Sequence, residues 1–310
     1  MGDLTPDPWQ KIIAVRQPSY KSCSKARLKA ILIPQSQSNS LPKQRLDTLL
    51  VELNLCSSRT LAQRLIQAGE VRVNGQVVDK VGTEVDLKAQ IEVKEKLPYV
   101  SRGGEKLAKA LSVFAITVTD RICLDGGIST GGFTDCLLQN GAKKVYGVDV
   151  GYGQVDWLLR NDARVVLLER TNLRYLQPHE LYKDAEIADL TVVDVSFISL
   201  TKVMPALWQL LTPPREAVLL VKPQFEVGKS RVGKKGVVRD PKDQADAIFH
   251  VLQAALEIGW HYRGLTWSPL VGPAGNIEYL LWLGIDSQIP PVNDIEIAHL
   301  VKMAHQDLNN

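Results

Sequence analysis

Two short helical patterns and a hairpin pattern mark the region between residues 43 and 96. The first helical face consists of four leucines spaced as on one side of a helix, Leu46, Leu49, Leu50 and Leu53. The second follows a serine pair suited to capping a helix and consists of Leu61, Ala62, Leu65 and Ile66. Residues 71–78 then alternate around Asn74-Gly75, a strong hairpin signal, and 85–93 supplies a further strand. The pattern predicts a small α+β domain over residues 43–96.

From residue 97 onward, apolar runs of strand character alternate with helical patterns. Strands are predicted at 122–125, 144–149, 164–168, 190–195, 217–222, about 262–267 and about 277–283. Helices are predicted at 131–140, 153–160, 200–211 and 242–258, and an earlier one carries Lys106 in its first turn. This alternation is typical of a mainly parallel sheet covered on both faces. We therefore predict an α/β, Rossmann-like domain over residues 97–286, followed by a C-terminal tail or helix over 287–310.

Residues 1–42 have no sustained period and are rich in Ser, Gln, Pro and Lys, which predicts a mostly disordered basic extension. The net charge of +3 lies in this extension, so global charge does not by itself indicate a nucleic-acid partner. The four cysteines have neither C-x-x-C nor metal-ligand spacing, which favours reduced thiols, no metal site and a cytoplasmic protein. No apolar run approaches the roughly 20 residues that cross a bilayer, so no membrane partner is expected.

A glycine-rich stretch follows the first strand of the larger domain. Its residues 126–132 have the form GG-x-x-x-GG, and a helical pattern follows directly. Glycine allows close backbone approach to a ligand, and a helix start offers free N–H groups. About twenty residues later a second strand ends in Asp149, where a nucleoside-binding unit places its ribose-binding acid. Because G-x-G-x-x-G is absent, S-adenosylmethionine is favoured over a hydride-transfer cofactor. A plain strand–turn–helix connection is the alternative.

Five ionisable residues end predicted strands, which predicts a polar cleft at one edge of the sheet: Asp125, Asp149, Glu169, Asp194 and Lys222. Adjacent strands lie about 4.8 Å apart, so Asp194 and Lys222 can face each other. A lysine with an ordinary pKa of about 10.4 is a poor base, but burial and a neighbouring cation such as Lys106 lower that value. Asp194 and Glu278 would orient Lys222, which could then activate a ribose 2′-hydroxyl. A buried Asp194–Lys222 salt bridge without catalytic role is the alternative.

The segment 222–242 contains seven Lys/Arg and two acidic residues, with glycines interspersed. A flexible basic loop beside the cleft would contact RNA phosphates. The candidate contact residues are Lys229, Arg231, Lys234 and Lys235. The alternative is a solvated loop without a ligand.

The smaller domain resembles the alpha-L RNA-binding module found in a small-subunit ribosomal protein, pseudouridine synthases and RNA methyltransferases. The resemblance is carried by Lys43-x-Arg45-Leu46-Asp47, Ser58-Arg59, Ala62, Ile66 and Gly69-x-Val71-x-Val73-Asn74-Gly75. It implies that four polar residues face structured RNA, namely Arg45, Arg59, Gln63 and Arg64. From spacing alone, the same side chains could form a solvated helix face.

The larger domain resembles the TlyA group, which is similar to FtsJ-type 2′-O-ribose methyltransferases. The matching runs are YVSRGGEKLAKAL, LDGGISTGGFTDCLLQNGAKKVYGVDVGYGQ, DVSFISL, LLVKPQFEVGK and SPLVGPAGNIEYLL. The resemblance implies a catalytic Lys-Asp-Lys-Glu tetrad at Lys106, Asp194, Lys222 and Glu278. With the strand-end acid and the helix-starting glycine, the predicted S-adenosyl-L-methionine site is Asp125, Gly127, Ser129, Gly131, Gly132, Asp149 and, near the adenine, Asn172.

The resemblance also implies the substrate, a cytidine in ribosomal RNA or ribosomal subunits, with no protein partner indicated. Two features depart from the family pattern: Gly126 replaces a small apolar residue, and the extension before Lys43 has no counterpart. Two other functions stay open. The chain could methylate an RNA base, since Asp194-x-x-Phe197 faintly resembles the loop of such enzymes, or it could be a non-catalytic RNA-binding or ribosome-assembly factor.

Overall fold

The computed structural model describes residues 28–31, 43–56, 58–94 and 98–308. These residues fall into two units, one ending before residue 97 and one beginning there. Among the cysteines in the described part, Cys56, Cys123 and Cys136 are free thiols, while Cys23 lies outside it. No helix within the described residues combines the length and the apolar character needed to span a membrane.

The smaller unit contains short strands and two helices. They are β1 (Leu28–Ile31), β2 (Lys43–Arg45), α1 (Leu46–Glu52), α2 (Arg59–Gln67), β3 (Val71–Val73), β4 (Gln76–Val77), β5 (Glu84–Asp86) and β6 (Ile91–Lys94). One sheet has the order β1-β6-β3-β4, and β2 pairs with β5. The predicted cap is confirmed, since the Ser58 hydroxyl accepts from the Leu61 N–H at 3.2 Å. Leu46, Leu50 and Ile66 are fully buried in the core of this unit.

Two findings for this unit were not predicted. Strand β1 lies inside the segment 1–42, which was predicted to be mostly disordered, and it pairs antiparallel with β6. Its partner strand lies some sixty residues further along the chain, so the local sequence pattern does not indicate the pairing. The predicted strand 85–93 is divided, because a turn in which the Asp86 carboxylate accepts from the Lys88 N–H separates β5 from β6. Residues 1–27 and 32–42 lie outside the described part.

The larger unit alternates strands and helices. They are α3 (Gly103–Phe114), β7 (Ile122–Gly126), α4 (Gly132–Gln139), β8 (Lys144–Val148), α5 (Trp157–Arg160), β9 (Val165–Leu168), α6 (Pro178–Tyr182), β10 (Leu190–Val193), α7 (Met204–Leu210), β11 (Glu216–Val221), α8 (Pro223–Glu226), α9 (Pro241–Ile258), β12 (His261–Trp267), β13 (Tyr279–Gly284) and α10 (Asp294–Leu308). Short 3₁₀ turns at Leu200–Lys202 and Lys229–Arg231 complete it.

The predicted mainly parallel sheet is confirmed. Its order is β12-β13-β11-β10-β7-β8-β9, in which the strands from β11 to β9 are parallel and β13 runs antiparallel to both neighbours. Separate apolar clusters cover its two faces. The strand order reverses between β7 and β10, and such a reversal opens a crevice at the carboxyl ends of the strands.

Some predicted elements of the larger unit are shorter than expected. The helix predicted at 153–160 is reduced to α5, which begins after Asp156 caps the Leu158 N–H. The helix predicted at 200–211 divides at Val203 into a 3₁₀ turn and α7, whose first turn contains Pro205. Strand β10 ends at Val193 rather than 195, and the chain bends at residues 197–198. Two short helices, α6 and α8, carried no sequence signal long enough to predict them.

An ion-pair cluster holds the amino ends of the central strands together. The Arg121 guanidinium donates to Asp189 at 2.8 Å and also pairs with Glu216. Arg263 pairs with the other oxygen of Glu216 at 3.0 Å. This cluster lies at the edge opposite the crevice, so we assign it to stability rather than to chemistry.

Candidate active site

The turn after β7 lies directly against the backbone that follows β10. Gly127 has a φ of +88°, and a Cβ built there would lie 2.5 Å from the Asp194 carbonyl oxygen. The Gly127 and Ile128 N–H groups both donate to the Val148 carbonyl, at 2.8 and 3.2 Å. Only glycine combines this conformation with this approach. The glycine-rich turn is thereby held at the crevice, between β8 and the Asp194 backbone.

Asp149 follows β8 at the same edge and is half-buried. One of its carboxylate oxygens accepts from the Ser129 N–H at 2.8 Å and the other from the Gly151 N–H at 2.7 Å. These two bonds fix the carboxylate plane, and each oxygen keeps lone-pair capacity for a hydroxyl donor. The sequence placed Asp149 and Ser129 in one ligand site, and the structure brings them into contact.

Gly131 and Gly132 begin helix α4, Gly131 as its N-terminal cap with a φ of +98°. A Cβ on Gly132 would clash with the Ser101 hydroxyl and lie 2.9 Å from the Gly104 nitrogen. Gly132 therefore makes room for the start of α3, the helix that carries Lys106. The sequence assigned Gly132 to the cofactor site. In the structure, Gly132 packs against the start of α3.

Asp125 lies beneath the glycine-rich turn and is fully buried. One carboxylate oxygen accepts from the Thr134 hydroxyl at 2.7 Å, and the other has no hydrogen-bond partner within the described residues. Burial, reinforced by the nearby Asp194 and Asp149 carboxylates, raises the pKa of Asp125 to about 7. A buried oxygen without a partner at this position fits a ligand that supplies a donor.

The raised pKa of Asp125 predicts a pH-dependent stability. Between its ordinary value of 3.8 and about 7 the folded state binds more protons than the unfolded state, so the free energy of unfolding falls as pH rises. Asp125→Asn has no carboxyl to ionise at this position, so it lacks this fall in the free energy of unfolding. We expect the melting temperature of the variant, relative to wild type, to rise by roughly 3–6 °C between pH 5 and pH 8. Asp120→Asn, at an exposed position, is the control, and equal pH dependence in both variants would contradict the assignment.

Lys222 and Asp194 follow the adjacent parallel strands β11 and β10 and form an ion pair of 2.5 Å, as the strand-end pattern predicted. Lys222 Nζ also donates to the Ser196 hydroxyl at 2.9 Å. The lysine side chain is 10% exposed, while that of Asp194 is 24% exposed. The pair is thus largely withdrawn from water, with its carboxylate nearer the opening of the crevice.

Lys106 and Glu278 form a second, more deeply buried pair. Lys106 Nζ donates to Glu278 at 2.6 Å, and the carboxylate side chain is 1% exposed. Because Val221 is opposite Tyr279 in the antiparallel β11–β13 pair, Lys222 and Glu278 are the next residues along neighbouring strands. Glu278 was expected to orient Lys222, but its hydrogen bond goes to Lys106. The four predicted residues thus form two lysine–carboxylate pairs, of which three members lie at adjacent strand ends and Lys106 comes from helix α3.

Other polar residues at this edge have partners that the sequence did not indicate. The Glu169 carboxylate binds Arg160 at 2.7 Å and accepts from the Gly153 N–H, so it belongs to the loop structure. Asn172 is exposed, and its side-chain oxygen accepts from the Arg174 N–H at 3.1 Å. Gly126, which departs from the family pattern, is the buried last residue of β7, where a Cβ would approach the Leu173 side chain to 2.6 Å.

In the smaller unit, three of the predicted RNA-facing residues bind one buried carboxylate. Asp47 is fully buried and accepts from Arg45 at 3.0 Å, from Arg59 at 2.9 Å and from Gln63 at 2.9 Å. The Arg45 hydrogen bond contributes most to lowering the pKa of Asp47. The arginine side chains stay 45% and 56% exposed, which leaves donors available at the surface. Arg64 is exposed on the same helix as Arg59.

The basic loop after α8 is only partly available for a ligand. Arg231 pairs with Asp246 at 2.7 Å and with Asp243 at 3.2 Å, so helix α9 holds it. Lys229, Lys234 and Lys235 are exposed, and no ion pair involves them within residues 43–56, 58–94 and 98–308. A turn closed by the Gly233 N–H and the Val237 carbonyl at 3.1 Å presents the two later lysines.

The crevice fits S-adenosyl-L-methionine on the chemistry of its residues. It offers a glycine turn without space for side chains, an oriented carboxylate at Asp149 for ribose hydroxyls, and the buried oxygen of Asp125. Among the residues described, no group of three His, Cys, Asp or Glu side chains could hold a metal ion.

Comparison with known proteins identifies relatives of both units. Residues 99–285 match the FtsJ-like methyltransferase family, and residues 44–91 match the S4 domain. The 16S/23S rRNA (cytidine-2′-O)-methyltransferase TlyA of Mycobacterium tuberculosis is 49% identical over 78% of this chain and 90% of its own length. Hemolysin A of Brachyspira hyodysenteriae is 44% identical over 76% of this chain and 98% of its own.

A solved structure of a hemolysin-like protein from Streptococcus thermophilus is also similar. It is 42% identical with a TM-score of 0.66, covering 87% of this chain and 98% of that one. Together with the family match over more than half of the residues, these similarities decide the family. The chain belongs to the FtsJ-like methyltransferase family and carries an S4 domain ahead of its methyltransferase domain.

Proposed function

We propose that this protein transfers a methyl group from S-adenosyl-L-methionine to the ribose 2′-hydroxyl of a cytidine in ribosomal RNA. The observation that carries the proposal is the pair Lys222–Asp194 at the mouth of the crevice, beside the glycine-rich turn. The 2′-hydroxyl is a weak nucleophile, and it needs a positioned base more than it needs a metal or an oxyanion site. The substrate named for the Mycobacterium tuberculosis relative supports the choice of ribosomal cytidine.

In this proposal the residues divide the work as follows. Asp149 and the turn at Gly127 and Ser129 hold the cofactor, which supplies an electrophilic methyl group when bound. Lys222 is the cation of an ion pair with Asp194, so it gives up a proton before the reaction; the neutral amine then binds the 2′-hydroxyl and accepts its proton as the oxygen takes the methyl group. Asp194 orients Lys222 and pairs with the ammonium that forms again. Lys106 and Glu278 complete the wall of the site next to Lys222.

The S4 domain and the basic loop supply the RNA contacts in this proposal. Arg45, Arg59 and Gln63 present donors fixed by Asp47, and donors of this kind position a nucleic acid through its phosphates. Lys229, Lys234 and Lys235 add positive charge after Lys222. Ribosomal RNA or a ribosomal subunit is the partner, and the cytoplasm is where the protein acts.

The test is transfer of labelled methyl from S-adenosyl-L-methionine to isolated ribosomal subunits and to free rRNA. We expect the label in a dinucleotide that resists alkali, because a methylated 2′-oxygen cannot attack the adjacent phosphodiester. Label in alkali-sensitive nucleotides would indicate base methylation and contradict the proposal. Cofactor binding without any transfer would point to another substrate, and no cofactor binding would leave an RNA-binding protein.

Arg59→Ala is expected to weaken RNA binding without changing the chemistry. The substitution removes one cation near the phosphates, so affinity for the RNA substrate should fall about three- to tenfold, and the slope of log affinity against log salt should decrease by about one. Filter binding over a salt series measures both. Lys143→Ala, which removes an exposed lysine paired with Glu186 at the amino end of β8, is the control. If the two variants have equal slopes of log affinity against log salt, Arg59 does not contact the RNA.

A further inference from the structure

The two candidate catalytic residues lie on two neighbouring segments that follow β10 and β11. We call residues 194–199 the Asp194 loop and residues 222–226 the Lys222 turn. The sheet fixes only the start of each segment, since the Asp194 N–H donates to the Gly126 carbonyl at 2.9 Å and Lys222 follows directly on the paired Val221. The later residues of both segments, including the Ser196 hydroxyl that accepts from Lys222, depend on contacts between the segments themselves.

Glu226 makes the strongest of these contacts outside the catalytic pair. One carboxylate oxygen accepts from the Ser199 hydroxyl at 2.6 Å, and the other accepts from the Leu200 N–H at 2.9 Å. The carboxylate therefore joins the end of the Lys222 turn to the end of the Asp194 loop. It also satisfies an N–H at the start of the 3₁₀ turn Leu200–Lys202.

The Asp194 loop is a segment that needs such a connection. Its Phe197 has a φ of +65°, a left-handed conformation that is costly for a non-glycine residue. The Phe197 side chain is 92% exposed, and its ring contacts Phe225 of the Lys222 turn at a centroid distance of 5.3 Å. Val195 and Ile198 of the loop pack against the core but are only partly buried, so charge-assisted hydrogen bonds at its far end help to fix it.

The Glu226 carboxylate is buried, and the hydrogen bonds that connect the two segments also compensate its burial. Burial raises the pKa of the Glu226 carboxyl, which means that keeping a carboxylate here has a cost. The hydrogen bonds from Ser199 and Leu200 offset part of that cost.

We infer that Glu226 is a positioning residue: it joins the Asp194 loop to the Lys222 turn and so holds Asp194 and Lys222 in register. Glu226 touches no reacting atom and acts through the two segments. The inference rests on the proposed function, since it assigns the geometry of the same site. It concerns the catalytic rate, because the cofactor turn at Gly127 contacts the Asp194 backbone rather than the far end of the loop.

The test compares Glu226→Ala and Glu226→Gln in the full-length protein. For Glu226→Ala we expect kcat to fall about 10- to 100-fold, the effect of a displacement of about 1 Å, with KM for S-adenosyl-L-methionine changed less than threefold. Glu226→Gln keeps both contacts possible, with its amide donating to the Ser199 oxygen, and should restore most of the rate. Glu257→Ala, at an exposed glutamate of α9, is the control.

Three outcomes would overturn the inference. They are an unchanged kcat in Glu226→Ala, a Gln variant as slow as the Ala variant, or a parallel loss of kcat and cofactor affinity. If Glu226→Ala does not fold, Ser199→Ala removes one of the two hydrogen bonds and should lower kcat by a smaller factor. A fully active Ser199→Ala protein would then count against the inference.

A second readout separates this inference from the proposed function. The Nζ resonance of Lys222, assigned by its absence in Lys222→Ala, reports the Asp194 pair without any turnover. We expect Glu226→Ala to shift or broaden it and Glu257→Ala to leave it unchanged. Wild-type protein that methylates no ribose would refute the proposed function, whereas an unshifted Lys222 resonance in Glu226→Ala would refute the positioning role.

Discussion

Lys222→Ala is expected to lower the rate of ribose methylation by about 10³-fold, within the range that a positioned general base contributes. Lys222 is the one cation whose Nζ contacts both Asp194 and Ser196 at the crevice, at 2.5 and 2.9 Å, within the described residues. Alanine removes the group that binds and deprotonates the 2′-hydroxyl. The measurement is single-turnover methyl transfer to ribosomal subunits, with the product identified by its resistance to alkali.

The cofactor affinity of Lys222→Ala should stay within about threefold of wild type, because the residues assigned to the cofactor lie on other elements. Calorimetric titration with S-adenosyl-L-methionine measures it. Lys302→Ala, at an exposed lysine of the C-terminal helix, is the matched control and should be fully active. Methylation that survives Lys222→Ala would show a methyltransferase whose base is another residue.

Gly127→Ala is expected to reduce affinity for S-adenosyl-L-methionine at least about 100-fold. A non-glycine residue at a φ of +88° is strained, and the added Cβ would lie 2.5 Å from the Asp194 carbonyl oxygen and 3.0 Å from its carbon. Backbone atoms cannot rotate away as a side chain can, so the turn itself must move. Strain of this kind costs about 1–3 kcal/mol before the clash is counted. Binding of the cofactor, measured by calorimetry, is the direct readout.

Gly75→Ala separates conformational strain from the clash. Gly75 has a similar φ of +80° in the hairpin of the smaller unit, and a Cβ there would meet nothing within 4 Å. We expect this variant to lose some stability but to bind the cofactor normally. Comparable cofactor affinity in Gly127→Ala and wild type would mean that the turn does not contact the cofactor. A melting temperature recorded for each variant shows whether lost binding reflects unfolding.

Much of this site follows from the order of residues alone. Parallel strands end at one edge of a sheet, so residues that end apolar runs must gather there, and Lys222 and Asp194 do so as predicted. The same rule placed Asp149 beside the glycine-rich turn. These predictions succeed because strand period and chain direction are local properties, which a single sequence records.

The partners of these groups were decided by packing that no local pattern records. Lys106 and Glu278 are 172 residues apart, and their pair forms because Gly132 lets helix α3 approach α4 beside the sheet edge. Asp47 collects three polar side chains that spacing alone would leave as a solvated face. Arg231 pairs with Asp243 and Asp246 of α9, so its guanidinium is not free for a ligand.

Sequence therefore determined the type of fold, the edge of the sheet that carries the chemistry and the residue types found there. Tertiary structure decided which lysine pairs with which carboxylate, that Asp125 is buried with one oxygen unpaired, and that Glu226 connects two loops. The physical reason is that periodicity fixes which way a side chain points from its own strand or helix. Hydrogen-bond partners and desolvation depend on what other parts of the chain bring to the same place.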